Sequence, residues 1–151
     1  MDDFDKANQY LDAGDGARAM PLFHRSAAAG RVAAMHSIAH CHLYGIGADQ
    51  DYDLAFRWFT KAAEGGCPQG MYHLGLCSEN GYGTPANLPL ALEWYRKSAE
   101  RGDEDAEYCV GRFYEKGLGV PADRNGAIGW YRRAAGHGQA EAAERLAALE
   151  A

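Results

Sequence analysis

The sequence lacks the features that several functional classes require. Its 151 residues carry 15 basic and 21 acidic side chains, a formal net charge of -6, and no run of Lys and Arg exceeds two residues. Nucleic-acid backbones are bound by concentrated basic surfaces, so nucleic acid is not expected as a partner. The longest stretch without a charged side chain, Val32 to Ala48, is shorter than the about 20 residues of a membrane span. No membrane insertion is therefore expected.

Signals for export and for disulfide bonding are also missing. The chain begins Met-Asp-Asp-Phe-Asp, whereas a signal peptide begins basic and continues apolar. We therefore expect a cytoplasmic protein. No CxxC pair is present, so the cysteines are expected to be free thiols that behave as small hydrophobic side chains. They are Cys41, Cys67, Cys77 and Cys109.

Proline is scarce and glycine is abundant, with 5 and 19 residues respectively. A collagen triple helix would need glycine at every third position with abundant proline. A flexible linker would need unbroken Gly/Ser runs, and none is present. The glycines must therefore be explained by their positions.

Many of these glycines belong to a tandem repeat with a period of 36 residues. A Gly-x-Gly recurs at this interval, and so do an aromatic pair, an alanine and a single glycine beyond the pair. The agreement of several residue types in one register indicates a repeat array. The Gly-x-Gly begins at Gly45, Gly81 and Gly117, and the aromatic pair begins at Trp58, Trp94 and Trp130.

Each unit reads as two helices. Apolar and small residues at helical spacing precede the Gly-x-Gly, where glycine can adopt positive φ and end the helix. An acidic or Asn residue then stands where a helix N-cap is needed, at Asp51, Asn87 and Asp123. No segment alternates as a strand does. The sequence therefore predicts an all-α fold.

These residues resemble the Sel-one-like repeat, a relative of the tetratricopeptide repeat. Its pattern is L-G-x-x-Y-x-x-G-x-G-V, a cap, then A-x-x-W-Y-x-K-A-A-x-x-G, and residues 105–140 follow it most closely. The two earlier units depart from it at four positions, namely Ala39, His42, Ala48 and Ser78. The resemblance implies an α/α superhelical solenoid of helix-turn-helix repeats, right-handed and with about nine helices.

One solenoid domain, 1–151, is predicted. It comprises a degenerate capping repeat, 1–32, three full repeats and a C-terminal capping helix, 141–151. Pro21 falls inside the second helix of the capping repeat and is expected to bend it or to disturb its first turns. The full repeats are 33–68 (unit 1), 69–104 (unit 2) and 105–140 (unit 3).

The tetratricopeptide resemblance implies that the first helices line a concave groove and gives the positions that face it. Aromatic side chains there supply contact area, and charged groups fix the register of a bound chain. The predicted groove residues are His36, His40, Leu43, Tyr44, Tyr72, Leu76, Glu79, Asn80, Tyr108, Arg112, Glu115 and Lys116.

Chemistry other than protein binding finds little support. His36 and His40 are four residues apart and could share one metal ion, with a third ligand from Tyr72 or Glu79, but ordinary surface histidines explain them as well. The Gly-x-Gly follows a helix rather than a strand, unlike a phosphate-binding loop. No nucleophile motif or carboxylate pair stands out. No cofactor and no catalytic residue is therefore predicted.

The sequence thus predicts a non-enzymatic adaptor or scaffold that binds a peptide or protein partner in its groove, expected to be monomeric and bacterial. Two alternatives stay open: an immunity or inhibitor protein for one dedicated effector, and a metal- or thiol-based sensor that uses His36, His40 and the cysteines. The binding face could also be the convex one, where basic residues recur. These are Arg57, Lys61, Arg96, Lys97, Arg132 and Arg133.

Overall fold

The computed structural model describes residues 1–151 and contains nine α-helices and no strand. The predicted all-α fold is confirmed. None of the nine helices combines the length and the apolar character that a membrane crossing needs. The helices are α1 (Asp3–Asp12), α2 (Gly16–Ala28), α3 (Val32–Tyr44), α4 (Tyr52–Glu64), α5 (Pro68–Asn80), α6 (Leu88–Glu100), α7 (Glu104–Lys116), α8 (Arg124–Gly136) and α9 (Ala140–Glu150).

Each helix packs mainly on the helices that precede and follow it in the chain. The hairpins α3/α4, α5/α6 and α7/α8 correspond to units 1, 2 and 3. The pair α1/α2 precedes them, and α9 packs on α8 and touches α7. Packing between nearest neighbours along the chain is the defining property of a solenoid, and it confirms the predicted superhelical repeat fold.

The second helix of each pair begins at the residue predicted to cap it. The side chains of Asp51, Asn87 and Asp123 each accept a hydrogen bond from the backbone N–H three residues further on, at 3.0, 3.1 and 3.0 Å. Asp15 does the same for α2 at 3.1 Å. Each bond satisfies one of the N–H groups that a helix leaves free in its first turn.

The Gly-x-Gly segments end the first helices and pack against the preceding repeat. The second glycine of each segment lies on the start of an earlier helix. At Gly83 an added Cβ would come within 2.4 Å of the carbonyl oxygen of Tyr52, the first residue of α4. A similarly close approach recurs at Gly47 and Gly119. Only glycine fits there. The first glycines adopt φ of 68°, 78° and 70° at Gly45, Gly81 and Gly117.

One aromatic ring from each second helix fills the core of its repeat. Phe23, Phe59, Tyr95 and Tyr131 stand 36 residues apart and are each at most 1% exposed. Rings of this size dominate the buried apolar area of a small core. Their recurrence gives every repeat the same central contact.

Helix α2 runs without a break from Gly16 to Ala28, with Pro21 inside it. The irregular first turns expected there are absent. Proline has no N–H, so the carbonyl of Ala17 loses its donor within the helix. Both Ala17 and Pro21 are exposed, and water can therefore solvate that carbonyl.

Candidate functional site

The first helices α3, α5, α7 and α9 form one continuous face, because side chains on each reach the next. His36 contacts His73, and Arg112 contacts Glu79. Two adjoining cavities open on this face. They have volumes of about 390 and 260 Å³, and we call them the central and the terminal cavity. Tyr108 and Arg112 line both.

The cavities bring together eight of the twelve predicted groove residues. All eight belong to units 2 and 3. Tyr72, Leu76, Glu79, Asn80, Tyr108 and Arg112 line the central cavity, together with Tyr95, Asp105, Cys109, Gln139 and Glu141. Tyr108, Arg112, Glu115 and Lys116 line the terminal cavity, together with Tyr131 and Arg145.

The carboxylate of Glu79 links side chains from three helices at the central cavity. Glu79 Oε1 accepts hydrogen bonds from Tyr95 Oη at 2.8 Å and from Arg112 Nη2 at 2.7 Å. The three side chains come from α5, α6 and α7, so the triad ties unit 2 to unit 3. Burial acts to lower the pKa of Arg112, but the hydrogen bond to Glu79 and the negative charge of Glu79, together with Cys109, outweigh it, and the pKa is raised. The guanidinium is therefore fixed as a cation in a set position.

The same triad recurs one repeat later in the terminal cavity. Glu115 Oε1 accepts from Tyr131 Oη at 2.7 Å and from Arg145 Nε at 3.2 Å. Arg145 also donates to the second carboxylate oxygen. The hydrogen bond from Arg145 is the main cause that lowers the pKa of Glu115. Here the arginine comes from α9, which thereby contributes to the binding face.

Glycines in the first helices allow the tyrosine rings to reach these carboxylates. A Cβ at Gly75 would lie 2.6 Å from the ring of Tyr95, and one at Gly111 would lie 2.7 Å from the ring of Tyr131. The glycines thus permit the two helices of each unit to approach closely. In unit 1 the three corresponding residues are Ala39, Phe59 and Leu43, so that unit has neither the hydroxyl nor the carboxylate.

The charges of the two cavities have opposite sign. The central cavity is lined by three carboxylates, those of Glu79, Asp105 and Glu141, and one guanidinium, that of Arg112. The terminal cavity is lined by one carboxylate, that of Glu115, and three cations. A bound segment therefore meets an acidic region and a basic region in succession.

Unit 1 departs from the predicted arrangement. Leu43 is 4% exposed and packs in the core, so its prediction as a groove residue is wrong. The cause is local, because its counterparts Glu79 and Glu115 have a buried tyrosine hydroxyl to bind, whereas Leu43 belongs to an apolar cluster with Phe59. Tyr44 is 56% exposed and its ring lies 4.7 Å from that of His40.

A histidine that the sequence analysis did not select joins His36 and His40. His73 Nδ1 lies 2.8 Å from the carbonyl oxygen of Gln69 and 3.2 Å from His36 Nε2. A carbonyl only accepts, so His73 Nδ1 carries the proton and His36 Nε2 accepts. The ring of His73 also stacks on Phe59 with centroids 4.5 Å apart. Burial, followed by the neighbouring histidines, lowers the pKa of His36 to about 4.

These histidines do not assemble a metal centre. The rings of His36 and His40 lie 6.3 Å apart, and His36 Nε2 is engaged by His73. Of the ligands considered as a third, Glu79 is bound by Tyr95 and Arg112, and Tyr72 packs on Tyr95. Nowhere in the chain are three His, Cys, Asp or Glu side chains grouped so that they could hold a metal ion.

The cysteines are free thiols, as predicted. Burial raises the pKa of Cys41, and it raises the pKa values of Cys77 and Cys109 to about 12 each. A reactive thiol needs a lowered pKa. These three cysteines therefore do not support a thiol-based sensor.

The recurring basic residues of the second helices have a structural explanation. Lys61 lies 4.3 Å above the ring of Trp58, and the pairs Lys97–Trp94 and Arg133–Trp130 repeat the contact at 4.7 and 4.5 Å. Such cation–π contacts stabilise exposed sites by about 0.5–1 kcal/mol. Of the others, Arg96 binds the Tyr114 hydroxyl and Arg132 binds Glu150, while Arg57 is exposed.

Several residues of the cavities are not among those predicted from the sequence. Tyr95 and Tyr131 belong to the recurring aromatic pairs, and each directs its hydroxyl to a groove carboxylate. Glu141 and Arg145 lie in the tail interpreted as a cap. A signal for Glu141 was present, since it stands 36 residues after Asp105.

The comparisons with known proteins agree with this architecture. The family model of the Sel1 repeat matches residues 32–67, 68–103 and 104–139. No curated protein matches the chain.

Several solved structures share the fold. The Sel1 repeat protein from Oxalobacter formigenes has 34% sequence identity and a TM-score of 0.90 over 95% of this chain and 58% of its own. The protective antigen c5321 of uropathogenic Escherichia coli, which displays an SLR fold, has 29% identity and a TM-score of 0.89 over 95% of this chain and 32% of its own. The chain thus spans less than two thirds of either relative. Helicobacter pylori cysteine rich protein B shares the fold at 24% identity and a TM-score of 0.66, over 81% of this chain and 93% of its own.

Proposed function

Because the chain belongs to the Sel1 repeat family, whose members are generally protein-interaction modules, we propose that it is a non-enzymatic adaptor that binds a segment of a protein partner along the face of α3, α5, α7 and α9. The observation that carries the proposal is the pair of adjoining cavities. They are lined by equivalent residues of successive units, and they share Tyr108 and Arg112 as a common wall.

The composition of this face supports protein binding. Tyr72 and Tyr108 are partly exposed and offer rigid aromatic area of the kind that dominates binding energy in protein interfaces. Arg112 is held in place by Glu79 before any partner arrives. A side chain that is already ordered loses less conformational freedom on binding, so this face is suited to recognition.

The ionisable groups of the cavities support a binding role rather than a catalytic one. Glu79 and Glu115 are each bound by a tyrosine and an arginine. Burial raises the pKa of Cys109 to about 12, which keeps this thiol protonated at neutral pH and a poor nucleophile.

Affinity capture from the native organism with identification by mass spectrometry tests the proposal. The bait is compared with a groove variant, Tyr72→Ala, Tyr108→Ala, Arg112→Ala, and with a control on the opposite face, Arg57→Ala, Lys61→Ala, Lys97→Ala. Circular dichroism verifies that each variant is folded. We expect the partner to be lost from the groove variant and retained by the control.

The opposite result would place the interaction on the second helices and contradict the proposal. Equal capture by the native protein and the groove variant would do so as well. Capture of a single stoichiometric partner whose activity is lost in the complex would identify the narrower form of the same function, an inhibitor of one dedicated effector.

A further inference from the structure

We infer, on the basis of the proposed function, that the partner segment is an extended peptide with one basic and one acidic side chain about five residues apart. The basic side chain, Lys or Arg, enters the central cavity, and the acidic one, Asp or Glu, enters the terminal cavity. The inference rests on the charges that remain unpaired in each cavity and on the distance between them.

The central cavity has two carboxylates without a cationic partner. Glu79 is neutralised by Arg112 at 2.7 Å, whereas neither Asp105 nor Glu141 forms an ion pair. Both are exposed. Both line the central cavity, and Tyr108, which lies between them in the sequence, lines it as well. A cationic side chain is the ligand that this arrangement would attract.

The terminal cavity has the opposite excess. Glu115 is paired with Arg145, and Arg112 is paired with Glu79. Lys116 is exposed and forms no ion pair. A carboxylate placed here would contact Lys116 and the outer N–H groups of Arg145, which is 45% exposed.

The helix geometry sets the spacing. Asp105 and Lys116 lie eleven residues apart on α7, which corresponds to about 16 Å along the helix axis at about 1.5 Å per residue. An extended chain covers that distance in about five residues at about 3.3 Å each. Between the two charges it would pass over Tyr108 and Arg112, which wall both cavities.

The size of the cavities favours an extended occupant. Volumes of about 390 and 260 Å³ lie near and below the low end of the range for small-molecule pockets, and each has room for a side chain. A helical segment would need eleven residues to bridge the same charges, and isolated helices of that length are marginal in water.

Binding of designed peptides to the full-length protein tests the inference. The probes are fluorescent dodecapeptides with blocked ends and a Gly/Ser/Tyr background, each with one Arg and one Glu separated by two to eight residues in either order. Fluorescence anisotropy at low ionic strength gives the dissociation constants. We expect the tightest binding at separations near five, and a loss of about tenfold when either charged residue is replaced by Gln, as expected for a lost interfacial ion pair.

Charge exchange in the protein separates recognition from a loss of structure. The variant Asp105→Lys, Glu141→Lys should lose the Arg-containing peptide and recover affinity for a peptide with Glu at that position. At the terminal cavity, Lys116→Glu should lose the Glu-containing peptide and recover affinity for a peptide with Arg at that position. All three residues are exposed, so both variants should fold, and a purely structural defect would weaken every peptide alike.

Affinity that is independent of the two charges or of their spacing would overturn the inference, and so would the absence of binding by every peptide. A preference for separations near eleven in longer peptides would indicate a helical occupant and would also overturn it. If a captured partner depends on the groove but has no such charge pair, the inference fails while the proposed function stands. A partner that ignores the groove variant overturns the proposed function itself.

Discussion

At the scale of single residues, the groove depends on substitutions that occur together. Where the first helix has glycine, as at Gly75 and Gly111, the second helix has tyrosine and the groove has glutamate. Unit 1 instead has the apolar set Ala39, Phe59 and Leu43. A buried hydroxyl needs a hydrogen-bond acceptor. Tyrosine therefore occurs together with glutamate, and phenylalanine together with leucine.

Replacing Tyr95 by phenylalanine tests this dependence. Tyr95→Phe removes the hydroxyl that donates to Glu79, and we expect the free energy of unfolding in urea to fall by about 1 kcal/mol. The reciprocal change Phe59→Tyr places a hydroxyl beside Leu43 with no carboxylate to accept it, and should cost about 1–3 kcal/mol. If Phe59→Tyr were neutral, the pairing of hydroxyl and carboxylate would have no energetic basis.

Two glycines of unit 3 should respond oppositely to alanine. At Gly111 a Cβ would lie 2.7 Å from the ring of Tyr131, and overpacking of this kind costs about 1–3 kcal/mol. At Gly129, which is exposed and has no atom within 4 Å of an added Cβ, alanine should stabilise α8 by about 0.5–1 kcal/mol. Thermal unfolding of both variants measures the effects, and stabilisation by Gly111→Ala would contradict the close packing described.

At the scale of helices, the interface between α3 and α5 is distinguished by neutral histidines. His36, His40 and His73 all have lowered pKa values, with burial as the first cause in each case. His36 Nε2 accepts from His73, and protonation of His36 would replace that acceptor with a second donor. The interface is therefore compatible only with unprotonated rings.

This interface predicts that the protein loses stability in mild acid. A histidine whose pKa falls from 6.5 to about 4 on folding binds fewer protons in the native state than in the unfolded state between these values. The stability that it contributes is thus complete above pH 6.5 and is lost as the pH falls towards 4. The shift corresponds to about 3 kcal/mol.

Urea unfolding of the native protein and of His36→Gln at pH 7.5, 6, 5 and 4 measures the effect. The carboxylates titrate equally in both proteins, so the difference between the two curves isolates the histidine. We expect the native protein to lose more stability than the variant between pH 6.5 and 4. Parallel curves would show that the ring of His36 is accessible to protons in the folded state.

At the scale of the whole molecule, the repeat period determined the fold from the sequence alone, because caps, glycines and core rings recur at 36 residues. The binding face was predicted less completely. Leu43 and Glu79 occupy the same position of the repeat, so the repeat pattern predicts the same groove location for both. They differ because Leu43 packs in the apolar core with Phe59. His73 lies one residue beyond a groove position, and its contact with His36 depends on the separation of two helices.

The C-terminal helix α9 makes contacts that the repeat pattern does not predict. The repeat pattern predicts residues 141–151 only as a capping helix, yet Arg145 binds Glu115, and Glu141 lines the central cavity. Glu141 repeats the register of Asp105, whereas Arg145 stands 36 residues after Cys109, so its ion pair has no precedent in the earlier units. We therefore assign α9 two roles, one in closing the solenoid and one in completing the face.

Removal of α9 provides a prediction for the entire solenoid. Deleting residues 140–151 exposes the surface of α8 that packs on α9, leaves Glu115 without Arg145, and removes one wall of both cavities. Because each repeat contacts only its neighbours, stability should fall locally rather than throughout the chain. Hydrogen exchange should show a large loss of protection in α7 and α8, and little change in α1 to α4.

The exposed α9 variant Glu144→Ala is the matched control and should leave exchange unchanged everywhere. An equal loss of protection in α1 to α4 would show that the nine helices unfold as a single cooperative unit. Unchanged protection in α1 to α4 would instead mean that the effect of losing α9 dies out within the two C-terminal units. The histidine interface depends on α5 as the central cavity does, so protection in α5 would show how far the loss of α9 reaches along the binding face.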